Sequence, residues 1–212
     1  MSTAASTSSS DMTRRVGRPI ATDRAAVART ALALFEERGY DSVSMADIAE
    51  AAGVGRRSLF RHARSKADLV WDGAGPAADE MGRRLRCAPA GVPMLVAYRE
   101  AFVGAMESAA VDLVATRSRL RLIVRHAELR AAAPQHLAET AEVLCGFVED
   151  RRPELAGTVG LQVVAEALGA ASFAALRWWA TAPDERGERS LREAVEEALE
   201  ALAVLCGPAS AS

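Results

Sequence analysis

Arg56, Arg57, Ser58 and Arg61 place three guanidinium groups and a hydroxyl within six residues. A guanidinium is a planar fork of donors that matches the acceptor edge of guanine and also pairs with phosphate oxygens. At helical spacing these four side chains share one outer face, while Leu59 turns inward. That is how a helix presents its N-terminal side chains to a major groove. The same spacing also describes an ordinary helical hairpin with a solvated arginine face. His62 and Lys66 follow directly, and Lys66 is the only lysine in the chain. No other cluster carries catalytic or metal-binding chemistry. The cysteines at 87, 145 and 206 lack CxxC spacing, and His62, His126 and His136 are scattered. There is no HExxH, P-loop, GxSxG or paired-carboxylate motif, so no enzyme, metal or cofactor is expected.

The elements around the arginines favour the groove-reading helix over the hairpin. Ser44 stands where a cap is needed, and Met45, Ile48, Ala49 and Ala52 follow at helical spacing. Gly53 supplies the left-handed residue that ends this short helix, Val54 tucks under the turn, and Gly55 opens the next one. Residues 22–38 read as an amphipathic helix capped by Thr22, with Val27, Ala31, Leu34 and Phe35 on one face. Gly39-Tyr40-Asp41 breaks it. Three helices, the last two in a tight turn, form a small DNA-binding unit.

The run ALFEERGYDSVSMADIAEAAGVGRRSLFRHARSKADLV resembles the N-terminal domain of the TetR family of transcriptional regulators. The matching parts are the RGY end of the first helix, the SMADIAEAAGV helix, the SLF core of the third and the SKADL start of the fourth. The resemblance implies an all-α fold, with a three-helix N-terminal DNA-binding domain and a C-terminal helical domain for ligand binding and dimerisation. On that reading Arg56, Arg57 and Ser58 reach base edges, Tyr40, Ser44 and Lys66 meet phosphate, and Arg61 and His62 also belong to the DNA-binding set. Where the family usually carries an aromatic residue after the recognition helix, this chain has Ala63, leaving a gap for His62 or Trp71 to fill. The segments GVGRRSLFRHARSKADLVW and RLRLIVRHAELRA are similar to regulators encoded with mycofactocin-type redox peptide systems, a subgroup associated with acyl-CoA effectors.

Composition agrees. Half of the 212 residues are hydrophobic but only 5% aromatic, and the long alanine-rich stretches favour helix. The net charge of −2 divides unevenly: residues 1–70 carry 11 basic and 8 acidic side chains, the rest 15 and 20. A basic head on an acidic body suits a protein that grips phosphate at one end. Residues 1–19 read as a disordered basic arm in which Arg14, Arg15 and Arg18 either reach a minor groove or stay solvated. Met12 is a second candidate start. The DNA-binding domain is expected over 20–66, the ligand and dimerisation domain over 67–207, and a disordered tail over 208–212. Glu166 and Arg177 interrupt the most apolar stretch, and STAASTSSS has no apolar signal core, so no membrane span is expected and the location is cytoplasmic.

Beyond Lys66 the punctuation predicts a break at Gly73–Pro76, then helices over 77–86, 93–110, 112–130, 134–150, 158–181 and 188–206. Leu191, Val195, Leu199 and Leu202 form a stripe on the last, which is either subunit core or half of a four-helix dimer interface. The family resemblance implies the interface, and the Ala/Gly face around Ala167, Gly169, Ala170 and Ala174 permits close approach. Candidate ligand-lining residues are Tyr98, Phe102, Met106, Phe147, Phe173 and Trp178. Arg117, Arg119, Arg121 and Arg125 form a basic cluster, with Arg121 and Arg125 the candidates for an anionic head group; a solvated helix face explains the cluster equally simply. The expected partners are an operator in double-stranded DNA, a small-molecule effector of the acyl-CoA kind and a second copy of the chain. A small helical enzyme or scaffold with a helix–turn–helix-like hairpin is the alternative.

Overall fold

The computed structural model describes residues 24–72, 75–108, 111–182 and 190–205. The arginines at 14, 15 and 18, the Thr22 cap, Cys206 and the 183–189 connection lie outside these residues. Among the described residues every regular element is helical. They are α1 (Arg24–Arg38), α2 (Met45–Ala51), α3 (Arg56–His62), α4 (Lys66–Trp71), α5 (Gly75–Cys87), α6 (Met94–Met106), α7 (Leu113–Arg125), α8 (Ala127–Ala131), α9 (Ala133–Arg151), α10 (Val159–Thr181) and α11 (Leu191–Leu205). A 3-10 turn, Pro153–Leu155, joins α9 to α10.

Local chemistry sets the short helices at the N-terminal end. Val27, Ala31, Leu34 and Phe35 of α1 are buried as the periodicity requires. Ser44 and Asp47 make a reciprocal capping box: Asp47 N–H donates to Ser44 Oγ at 3.2 Å, and Ser44 N–H to Asp47 Oδ2 at 2.8 Å. The Ser44 donors hold the Asp47 carboxyl below its ordinary range. Gly53, at φ +64°, carries the chain out of α2, and Leu59 then anchors α3 with no exposed surface. Ser65 and Asp68 form a second capping box at α4.

One core joins this end to the rest of the chain. Ile48, Leu59, Leu69, Val70 and Trp71 pack with Leu120, Ile123, Leu129 and Ala180, so α4 closes against α7, α8 and α10. The hydrophobic core therefore runs across the expected boundary at 66/67. Ala63 is buried in it, 3% exposed, alongside Trp71. The helix expected over 112–130 is split, because His126 is extended (φ −109°, ψ 118°) and separates α7 from α8. The split lets the His126 ring lie 4.6 Å from Tyr40 and turns the Leu129 carbonyl toward the Trp71 indole N–H, 3.1 Å away.

A second core fills the body between α5, α6, α9, α10 and α11, with Tyr98, Val103, Leu144, Leu168 and Val195 at its centre. Leu191, Val195 and Leu199 belong to it, each at most 7% exposed within a single chain. The C-terminal stripe is thus core of its own subunit rather than a free interface, and Leu202 packs beside it, partly buried. By length and hydropathy (1.6), α10 is apolar enough to cross a membrane, despite Glu166 and Arg177. In this fold its inner side packs on α7, α9 and α11.

Candidate DNA-reading face and effector pocket

The recognition helix is α3. Arg56, Arg57 and Arg61 are exposed on it, and Arg61 Nη2 donates to Ser58 Oγ at 2.8 Å, so the hydroxyl and one guanidinium form a linked pair. Phe60, read from the sequence as part of the helix core, is 44% exposed on the outer side. Leu59 alone supplies the fully buried anchor of α3, which leaves Phe60 free to offer apolar surface at the DNA-facing end. His62 is half-buried at the end of α3 and bears electrostatically on Asp72. Ser44 is exposed at the head of α2.

Of the expected phosphate contacts, Tyr40 is buried and Lys66 has one of its three donors committed within the protein. Tyr40 is only 3% exposed, and its phenol pKa is raised, first by burial and then by the neighbouring Glu128. A buried phenol cannot meet a phosphate. Lys66 Nζ donates to the Tyr40 carbonyl at 2.7 Å and sits 4.3 Å from the centre of the Tyr40 ring. It clips α4 to the turn between α1 and α2.

The C-terminal body contains a cavity of two lobes that share Phe102, Leu137, Thr140, Phe173 and Leu176. The first encloses about 720 Å³, part of it open to solvent, between α5, α6, α7, α9 and α10, with Trp71 of α4 in its wall. The second, about 710 Å³, runs on toward Tyr98, Gly169 and Glu166. Tyr98 is held by Ser172 Oγ at 2.8 Å and the Leu168 carbonyl at 3.3 Å, and burial pushes its phenol up to about 12. Trp71 stacks on His136 (5.5 Å, 3° between planes) and faces Phe173 at 6.0 Å.

Of the expected pocket residues, Tyr98, Phe102, Met106 and Phe173 line the cavity. Phe147 is in the second core, behind the wall, and Trp178 is 44% exposed on the outer side of α10. The arginine cluster divides by helix face. Arg117 Nη2 donates to the Ala182 carbonyl at 3.2 Å and Arg121 Nε to the Ala180 carbonyl at 2.8 Å, so both close the C-terminal end of α10. Arg125 is exposed. The fourth, Arg119, lines the first lobe and is 8% exposed. Its place was legible in principle, since Arg119 alone of the four falls in register with the inward Leu120 and Ile123 arc.

A tight helix–turn–helix with exposed arginines, joined through a shared core to a helical body with an apolar cavity, defines a one-component regulator: one chain that reads DNA and holds a ligand space. Residues 27–71 match bacterial regulatory proteins of the tetR family, and residues 92–204 match the MftR C-terminal domain. A Mycobacterium tuberculosis protein whose name assigns it to the regulation of mycofactocin biosynthesis, MftR, is 31% identical over 137 residues, 65% of this chain and 69% of that protein. The chain belongs to the TetR family of ligand-responsive, DNA-binding transcriptional regulators.

Solved structures share the fold at low identity. A TetR-family regulator from Syntrophomonas wolfei aligns with TM-score 0.65 at 18% identity, covering 89% of this chain and 97% of its own. Thermus thermophilus FadR, a TetR-family repressor in complex with lauroyl-CoA, aligns with TM-score 0.59 at 21% identity, covering 85% and 93%. The fatty acid degradation regulator FadR of Bacillus halodurans aligns with TM-score 0.60 at 15% identity, covering 88% and 96%.

Proposed function

We propose that this protein is a cytoplasmic, homodimeric repressor that leaves a two-fold-symmetric operator when its cavity accepts an apolar chain of the fatty acyl thioester kind. Residues 20–66 read the DNA, residues 67–207 sense and dimerise, and α4 is shared between them. Arg56, Arg57, Ser58 and Arg61 meet base edges and phosphates, and the basic arm with Arg14, Arg15 and Arg18 adds minor-groove contacts.

The observation that carries the reading is Trp71. It is the last residue of the α4 helix, 4% exposed, packed with the DNA-reading core and at the same time part of the cavity wall. A ligand seated against this ring must press on the helix that Lys66 fastens to the α1–α2 turn. The FadR complex with lauroyl-CoA supports an acyl thioester as the first effector to try. Release requires the ligand to prefer the DNA-free arrangement; a 100-fold preference is about 2.7 kcal/mol of coupling, and by linkage operator DNA weakens the ligand by the same factor.

The test selects an operator from random oligonucleotides with the purified full chain, then titrates acyl-CoAs of increasing length into the complex. Release that steepens with chain length supports the reading. If no chain length moves DNA binding while a polar compound does, the acyl thioester is wrong and only a ligand-gated repressor survives.

A further inference from the structure

We infer that the cavity carries a built receptor for an anionic oxygen, the Arg119 guanidinium, and that the ligand it is shaped for is an amphipathic carboxylic acid whose head group is met inside the protein. This rests on the ligand-gated reading above but replaces its acyl thioester by the free acid, which alone presents a carboxylate to Arg119.

Arg119 projects from α7 into a wall otherwise made of Ala77, Met81, Met106, Ile123 and Phe173 and their apolar neighbours. The other polar groups there are Thr116, Thr140 and the Trp71 indole N–H, which is already committed to Leu129. With five N–H donors to satisfy, Arg119 has one long bond, from Nη1 to Thr116 Oγ1 at 3.5 Å. Its Nε–H is fully buried and has no hydrogen-bond partner among the described residues. Buried guanidinium groups are ordinarily paired, because water no longer solvates them. Asp72 and Asp112 pull on the charge from a distance, yet neither forms an ion pair with it within 4.0 Å among the described residues. Burial accordingly pushes the Arg119 pKa down, with those two carboxylates opposing.

The same helix shows what a structural arginine looks like. Arg117 and Arg121 each reach a carbonyl at the end of α10, whereas Arg119 reaches none among the described residues and ends in the cavity. A buried Nε without a hydrogen bond is common to Arg117 and Arg119, so the missing carbonyl bond and the place in the cavity wall are what set Arg119 apart. A carboxylate is the acceptor that matches a guanidinium fork, and an apolar chain behind it would run past Phe102 and Phe173 into the second lobe. The head group would then lie in the field of Asp72, the residue whose carboxylate pairs with Arg24 at the start of α1.

The experiment measures binding of dodecanoate, dodecan-1-ol and lauroyl-CoA to the full-length protein without DNA, for wild type, Arg119→Met and Arg119→Lys. Methionine fills the apolar wall and removes the orphaned donor, so the variant should melt no lower than wild type. Wild type should prefer dodecanoate over dodecan-1-ol by at least tenfold. Arg119→Met should bring the two within twofold by weakening the acid alone, and Arg119→Lys should restore part of the preference. Equal affinity for acid and alcohol in wild type, or equal loss of both in Arg119→Met, overturns the inference. So does lauroyl-CoA bound tightly and equally by wild type and Arg119→Met while dodecanoate shows no preference. Should Arg119→Met not fold, the wild-type ratio and Arg119→Lys still decide. Acid binding that depends on Arg119 but never releases operator would leave this inference standing and defeat the ligand-gated reading instead.

Discussion

Replacing Trp71 by Phe tests whether one ring both holds the DNA-reading unit in place and senses the cavity. The indole N–H donates to the Leu129 carbonyl at 3.1 Å in a buried setting. Phenylalanine removes that donor and leaves a buried acceptor short of a partner, a loss of about 1–3 kcal/mol. The missing pyrrole portion leaves roughly 40 Å³ beside Phe173 and His136, which at about 24 cal/mol per Å³ adds ~1 kcal/mol. Together the loss is about 2–4 kcal/mol, and for a chain of this length each kcal/mol lowers Tm by roughly 2–4 °C. Thermal unfolding at fixed protein concentration should therefore show a fall of about 5–15 °C. Because the same ring lines the first lobe, the concentration of acyl-CoA that releases operator should also change. A variant within about 0.5 kcal/mol of wild type by denaturant unfolding, and with unaltered effector response, would refute the assignment of Trp71 as the joint.

Further substitutions separate reading, clamping, charge and assembly. Arg57→Ala should relax sequence preference by about 1–3 kcal/mol of lost discrimination in a selection assay, with little change in Tm. Lys66→Met should lower stability by about 1.5–3 kcal/mol through its lost bond to Tyr40, read by denaturant unfolding. Burial raises the pKa of Asp72, outweighing Arg24, Arg119 and His62. The protonated form is thus favoured in the folded chain, and its contribution to stability is present at acid pH and lost as pH rises through the raised pKa; Asp72→Asn should flatten that part of the Tm–pH curve. Val163→Asp, on the exposed side of α10, should yield a folded monomer by light scattering with weakened operator affinity, whereas Leu199→Asp, in the subunit core, should unfold the chain.

The DNA-reading end was legible because its structure is local. Ser44, Asp47, Gly53, Gly55 and Ser65 each fix a cap or turn through bonds spanning a few residues, so type and spacing suffice. Helix ends at Pro153 and in α10 and α11 follow the same logic. What escaped the sequence depends on partners far along the chain. Tyr40 is buried against Phe35 and His126, and Lys66 gives one donor to the Tyr40 carbonyl, neither contact being implied by spacing. His126 breaks α7 from α8 without glycine or proline, because the extended residue lets α8 fold back to Trp71. The stripe Leu191–Val195–Leu199 read equally as core or interface, since an apolar face does not say whether its cover lies in the same chain.

The outward side of α10 is the proposed dimer face. Val159 is 80%, Val163 59% and Trp178 44% exposed, Ala174 lies on the same helical arc, and Glu166 and Arg177 interrupt it. Exposed apolar groups beside a small residue are what two helices could use to pack across a two-fold axis, each presenting the same patch to the other. Arg117 and Arg121 of α7 reach the carbonyls that end this helix, and Arg119 lies between them in the cavity wall. A shift of α7 on ligand entry would be felt at once by α10, through those two capping bonds, and by α4, through the core shared with Trp71. In the proposed dimer, a displacement carried by these two contacts would change the spacing of the two α3 helices that the operator must match.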